Sequence, residues 1–104
     1  MAKVLVVDDD PDVLNLVTTQ LRQAGHQVNG VGSPSEALDL IGSRGAPDVA
    51  VLDINMPEMN GLELLKAIRE RHEPNLPAVF LSAKVTPEDI AAGKAMGATY
   101  LTKP

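Results

Sequence analysis

The run Val49-Ala50-Val51-Leu52 is apolar at four consecutive positions and stops at Asp53, with Asn55 and Pro57 close behind. A strand covered on one face alternates apolar and polar residues, whereas a short unbroken apolar run belongs to a strand covered on both. Whatever this chain folds into must therefore place a layer on each side of that strand. Asp53 falls at the strand's carboxyl end, where open α/β sheets bind their ligands. Its carboxylate is a candidate for chemistry and not only a cap for the following loop.

The rest of the chain repeats the same device. Lys3-Val4-Leu5-Val6-Val7 ends in Asp8-Asp9-Asp10, Ala78-Val79-Phe80-Leu81 ends in Ser82, and Tyr100-Leu101 runs into Lys103-Pro104, while Gln27 to Val31 forms a weaker strand. Helix patterns separate them. Asp10-Pro11 predicts an N-cap followed by proline at the first helical position, opening a helix to about Gln23 with Val13, Leu14, Val17 and Leu21 on one face and Gly25 as its stop. Ser33-Pro34-Ser35-Glu36 predicts a capping box and a helix through Ala37, Leu38 and Ile41, closed between Gly42 and Pro47. Leu62, Leu65 and Ile68 mark a third helix to about Arg71, and Thr86-Pro87-Glu88-Asp89 caps a fourth that ends at Gly97. Strands alternating with helices across short loops predict a doubly wound α/β domain with a parallel sheet. For five strands the expected order is 2-1-3-4-5, the flavodoxin-like arrangement.

At 104 residues this is one domain, spanning residues 1–104. Fourteen acids against nine basic residues give a net charge of -5 with no Lys/Arg cluster, which argues against direct nucleic-acid binding. No apolar run approaches the roughly 18 residues of a membrane span, the N-terminus lacks a signal-peptide pattern, and there is no cysteine. A cytoplasmic location is expected.

In the expected order the acids after strand 1, Asp53 after strand 3, Ser82 after strand 4 and Lys103 after strand 5 share one edge of the sheet. Neighbouring strands lie about 4.8 Å apart, so these side chains can converge. Carboxylates gathered without a counter-charge repel and raise one another's pKa, so a cation belongs among them. All-oxygen donors favour Mg²⁺ or Mn²⁺ over zinc. Asp53 is then the candidate nucleophile, Lys103 the charge that meets an incoming phosphoryl group, and Ser82 a hydroxyl donor to it. Taken singly, each residue has a plainer role. Asp10 and Asp12 suit a helix N-terminus, Ser82 a turn, and Tyr100 and Phe80 core filling.

These segments, together with Val51-Leu52-Asp53-Ile54-Asn55-Met56-Pro57-Glu58-Met59-Asn60-Gly61, Leu81-Ser82-Ala83 and Gly97-Ala98-Thr99-Tyr100-Leu101-Thr102-Lys103-Pro104, resemble the receiver domain of bacterial two-component response regulators, of the chemotaxis-regulator type. The resemblance implies that Asp53 accepts a phosphoryl group from a sensor histidine kinase or phosphotransfer protein. It implies Asp9 and Asp53 as direct Mg²⁺ ligands, Asp8 acting through water, and the backbone carbonyl of Asn55 as a further ligand. Ser82 and Tyr100 become the switch pair, Lys103 the phosphoryl-binding lysine, and Asn55 and Lys84 the side chains that tune phosphate lifetime. The peptide bond before Pro104 corresponds to one that is cis in the family. Such a domain is not a conventional enzyme. It catalyses only its own phosphorylation and dephosphorylation, and its output is a changed helix 4 and strand 5 surface read by an effector or output domain.

Receiver domains usually continue into a fifth helix after the Lys-Pro pair, and this sequence ends at Pro104. The expectation is uncovered apolar surface over strands 3 to 5, with lower stability or dimerisation through that face or through the helix 4 and strand 5 surface. Two other readings stay open from the residues. One is an aspartate-nucleophile phosphatase of the haloacid dehalogenase type, since Asp53-Ile54-Asn55 approximates its acid-x-acid motif with Asn at the third position. The other is a flavodoxin-like FMN-binding module, against which stand the acids after strand 1, because they would repel a phosphate.

Overall fold

A computed structural model describes residues 2–104. Its elements are β1 (Lys3–Val7), α1 (Pro11–Gln23), β2 (Gln27–Val31), α2 (Pro34–Arg44), β3 (Val49–Asp53), α3 (Gly61–Arg71), β4 (Ala78–Ser82), α4 (Pro87–Ala95) and β5 (Thr99–Thr102). The sheet is parallel throughout, in the expected order β2-β1-β3-β4-β5.

Successive side chains of a strand point to opposite faces, and here the two faces are covered unequally. Leu5, Val7, Ala50, Leu52, Ala78, Phe80 and Tyr100 meet Ala37 and Ile41 of α2 and Leu64, Leu65 and Ile68 of α3 in one large buried cluster. On the other face Val4, Val6 and Val28 form a smaller core with Leu14, Val17 and Leu21 of α1. Beside α1 that face opens into an apolar groove of about 380 Å³, lined by Val17, Leu21, Val51, Val79, Leu81, Leu101 and Pro104 among others. Leu101 is about half exposed there. No described helix is long and apolar enough to cross a membrane.

The local signals act largely as the sequence suggests. The Asp10 carboxylate accepts from the backbone N–H of Asp12 and Val13 to open α1, and Thr86 and Asp89 form a reciprocal capping box on α4. Two details differ. Glu36 turns its carboxylate to the N–H of Gly32 and not of Ser33, so only half of the expected box forms while Ser33 Oγ accepts from Glu36 N. α2 closes within the expected Gly42–Pro47 stretch, running through Gly42 to Arg44 and stopping at Gly45, whose φ of 88° only glycine adopts readily. The burial of Ile41 beside it outweighs the cost of one helical glycine, about 1 kcal/mol. Finally, the peptide bond before Pro104 is trans, as are all those described. Pro104 is exposed at the edge of the groove, and the bond keeps the ordinary trans preference of about 0.5–1 kcal/mol.

Candidate functional site

Parallel strands deliver their last side chains to one edge, and at that edge the chain gathers its acids. Asp8 follows β1 and is fully buried, Asp53 ends β3 with 1% exposure, and Asp9 lies exposed at the rim. One oxygen from each of the three lies within 4.8 Å of the other two. Lys103, immediately after β5, reaches back across β4 to place its ammonium 3.2 Å from Asp53 Oδ1 and 3.3 Å from Asp8 Oδ2. Its backbone N–H donates to the carbonyl of Ser82 at 2.7 Å, which fixes where the side chain starts.

The loops hold the acids in place. Asp8 Oδ1 accepts from Asp10 N at 2.9 Å and Asp53 Oδ1 from Asn55 N at 3.2 Å, so each carboxylate is anchored through one oxygen by its own loop. Of the other oxygens, Asp8 Oδ2 meets the Lys103 ammonium at 3.3 Å, while Asp53 Oδ2 is buried with neither a hydrogen bond nor an ion pair among the described residues. Buried polar atoms are nearly always satisfied, so an unpartnered carboxylate oxygen with two further acids beside it asks for a cation. With all-oxygen donors at this spacing the residues suit a hard divalent ion.

Burial pushes the Asp53 carboxyl up to about 6. The nearby carboxyl of Asp9 and the charge of Asp8 act in the same direction, against the lowering influence of the Asn55 N–H and the Lys103 ammonium. For Lys103, burial disfavours the charged form, yet the carboxylates of Asp53 and Asp8 overcome it and hold its pKa above the ordinary lysine value.

The remaining candidates stand further out. Ser82 is buried, but its hydroxyl donates to the carbonyl of Lys84 at 2.8 Å and is spent on its own loop. The Asn55 and Lys84 side chains are exposed at the rim. Tyr100 is 8% exposed, its ring packed against Phe80 with centroids 5.0 Å apart.

One residue that shapes the site was not singled out from the sequence. Gly61 opens α3, and a Cβ there would lie 2.5 Å from the carbonyl oxygen of Asp53 and 3.2 Å from Ile54 Cα. Both neighbours are backbone, which cannot step aside without moving the aspartate. Gly61→Ala is expected to destabilise the fold by roughly 2–3 kcal/mol despite alanine's better helix propensity. Urea denaturation checks this, and a loss below about 0.5 kcal/mol would mean that the helix shifts freely.

The strand order and the pocket at the carboxyl ends of β1 and β3 define a flavodoxin-like domain of the chemotaxis-regulator type. Residues 4–104 match the family model of the response regulator receiver domain, and the chain belongs to that family. It is 42% identical over 102 residues to the probable transcriptional regulatory protein TcrX of Mycobacterium tuberculosis, a match covering 97% of this chain and 43% of that protein. It is 40% identical over 103 residues to the nisin biosynthesis regulatory protein NisR of Lactococcus lactis, covering 98% of this chain and 44% of that one. The chain thus spans less than half the length of these two relatives. Among solved structures it is similar to the Vibrio cholerae chemotaxis protein CheY4, with a TM-score of 0.88 and 39% identity over 100% of this chain and 88% of the other. It is also similar to the response regulator TrrA of Thermotoga maritima, solved in complex with Mg²⁺ and BeF, with a TM-score of 0.84, 30% identity and the same coverages.

Proposed function

We propose that this domain takes a phosphoryl group onto Asp53 from the phosphohistidine of a sensor kinase or phosphotransfer protein, and relays that event to an effector or output domain in the cytoplasm. The observation that carries the reading is the buried Asp53 carboxylate, with one oxygen held beside Lys103 and the other without a partner. That free Oδ2 is the nucleophile. It forms the new O–P bond as the P–N bond to the donor imidazole breaks, and the nitrogen leaves with its electron pair. Asp8, Asp9, Asp53 and the backbone carbonyl of Asn55 would hold Mg²⁺, which neutralises phosphoryl oxygens; Mn²⁺ takes the same donors.

Lys103 already touches both buried acids, so it has only to turn its ammonium to a phosphoryl oxygen. Ser82 must give up its bond to the Lys84 carbonyl to donate to another oxygen, which releases the loop leading into α4. A phosphoryl charge near -2 thereby favours a different arrangement of Ser82, Tyr100 and the α4 and β5 surface. Asn55 and Lys84, exposed at the rim, stand where a side chain can admit or block the water that ends the signal. The apolar groove beside α1 is read as the seat of a fifth helix of the full receiver or of a second copy. Sedimentation of residues 1–104 as a monomer at all concentrations rules out the second copy.

Acetyl phosphate with Mg²⁺ tests the reading. The protein is expected to gain one acid-stable, hydroxylamine-labile phosphate on Asp53 and to keep it for a time. Steady hydrolysis with no modified protein would identify a phosphatase of the haloacid dehalogenase type. FMN binding without phosphate uptake would identify the flavodoxin-like alternative.

A further inference from the structure

Gly93 stands in the middle of α4, where glycine is a poor helix former, and it is the buried residue of that helix. A Cβ placed there would lie 2.6 Å from Cδ1 and 2.8 Å from Cε1 of Tyr100, and 3.2 Å from the carbonyl oxygen of Ala98. The ring can occupy its present place only because residue 93 has no side chain. On its other side it meets Phe80 at 5.0 Å between centroids and a 46° interplanar angle. Tyr100 is thus seated between the backbone of α4 and a side chain of β4.

The helix is not free to back away. Its first turn is closed by the reciprocal bonds of Thr86 and Asp89. At its far end the carbonyl of Met96 accepts from Arg69 Nη1, while the same guanidinium donates to the carbonyl of Leu76 from Nε and Nη2. Arg69 therefore ties the end of α4 to α3 and to the segment before β4. With its first turn stiffened by its own capping box and its far end tied to α3, the helix resists displacement, and a side chain at position 93 displaces the ring first.

We infer that Gly93 is a positioning residue whose missing side chain opens the buried seat of Tyr100 and so sets the resting position of that ring. Tyr100 pairs in register with Phe80, two residues before Ser82, and lies three residues before Lys103. The ring's position is therefore linked to the two strand ends that reach the pocket. This second half rests on the phosphoacceptor reading, and the first half does not.

The chain has one tyrosine and no tryptophan, so its near-ultraviolet signal reports on Tyr100 almost alone. Burial, with the charge of Asp89, holds the Tyr100 hydroxyl above its ordinary pKa of 10.0. In Gly93→Ala the near-ultraviolet circular dichroism is expected to collapse toward that of free tyrosine, and the phenol to titrate closer to its ordinary value. The same substitution in a Tyr100→Val background meets no ring, and there it is expected to raise the melting temperature through better helix propensity. Failure of Gly93→Ala to fold beside tyrosine, with normal folding beside valine, supports the seat equally. An unchanged tyrosine spectrum, or the same thermal shift in both backgrounds, overturns it.

For the link to the pocket, the acetyl phosphate concentration giving half phosphorylation is expected to change by about fivefold or more in Gly93→Ala. If the ring moves while that concentration stays the same, the link is overturned and the seat stands. If the wild type takes up no phosphate, the phosphoacceptor reading fails, and the spectroscopic comparison still decides the role of Gly93.

Discussion

Replacing Lys103 by alanine is expected to lower the unfolding free energy by roughly 3 kcal/mol at pH 7 in the absence of divalent cation. The ammonium is only one-fifth exposed and is the cation that touches the two buried carboxylates, at 3.3 Å from Asp8 and 3.2 Å from Asp53. Without it, two negative charges remain in a pocket with almost no water contact, and Asp9 adds a third at the rim. The figure sits at the lower end for a broken buried pair because the acids have an escape: Asp53 already binds a proton up to about pH 6 and would bind it higher still. The deficit should accordingly shrink at pH 5, and Mg²⁺ should recover part of it by supplying the missing charge. Under the proposed function the variant also loses the group that meets the phosphoryl oxygens, so its phosphorylation by acetyl phosphate is expected to slow by about a hundredfold. Urea titrations at pH 7 and pH 5 with and without Mg²⁺ check the stability effect. A loss under about 1 kcal/mol at pH 7 would mean that Lys103 is a solvated lysine at a strand end.

The architecture and the position of the acids were legible in the chain for one reason. In a parallel sheet every strand points the same way, so a residue ending any strand is at the same edge as a residue ending any other. Asp8, Asp53 and Lys103 are separated by tens of residues, yet their convergence follows from strand direction and order alone. What could not be read was anything that depends on how closely two backbones approach or which way a short side chain turns. Gly61 looks in sequence like a loop glycine, and only the proximity of the Asp53 carbonyl shows why no Cβ fits. Gly93 reads as a defect in a short helix until Tyr100 is seen against it. Ser82 was expected to face Asp53 because it ends the neighbouring strand, but a hydroxyl rotates freely, and here it donates to the carbonyl of Lys84. Glu36 likewise had two N–H groups within reach and took Gly32.

Asp53→Asn is expected to abolish a loss of stability that the wild type suffers as the pH rises. In the wild type without Mg²⁺ the folded Asp53 holds its proton up to about pH 6, whereas its ordinary value, taken for the unfolded chain, is 3.8. Between those values the folded form binds a proton that the unfolded form has released, so raising the pH favours unfolding. Stability should fall by roughly 3 kcal/mol across that window and stay level above it. The asparagine variant has no group to ionise there, so the difference between the two proteins isolates Asp53 from the other carboxylates. The variant is therefore expected to be more stable than the wild type by roughly 2–3 kcal/mol at pH 7 in chelator, with the two alike near pH 4. Saturating Mg²⁺ should reverse the order. An ion at a thousandfold excess over its dissociation constant adds about 4.1 kcal/mol to a protein that binds it only when folded, which exceeds the variant's advantage, and under the proposed function the variant lacks one of the charged ligands. Chemical denaturation from pH 4 to 8, in chelator and in Mg²⁺, measures both effects. Parallel curves for the two proteins would show that Asp53 is ionised as easily in the fold as out of it.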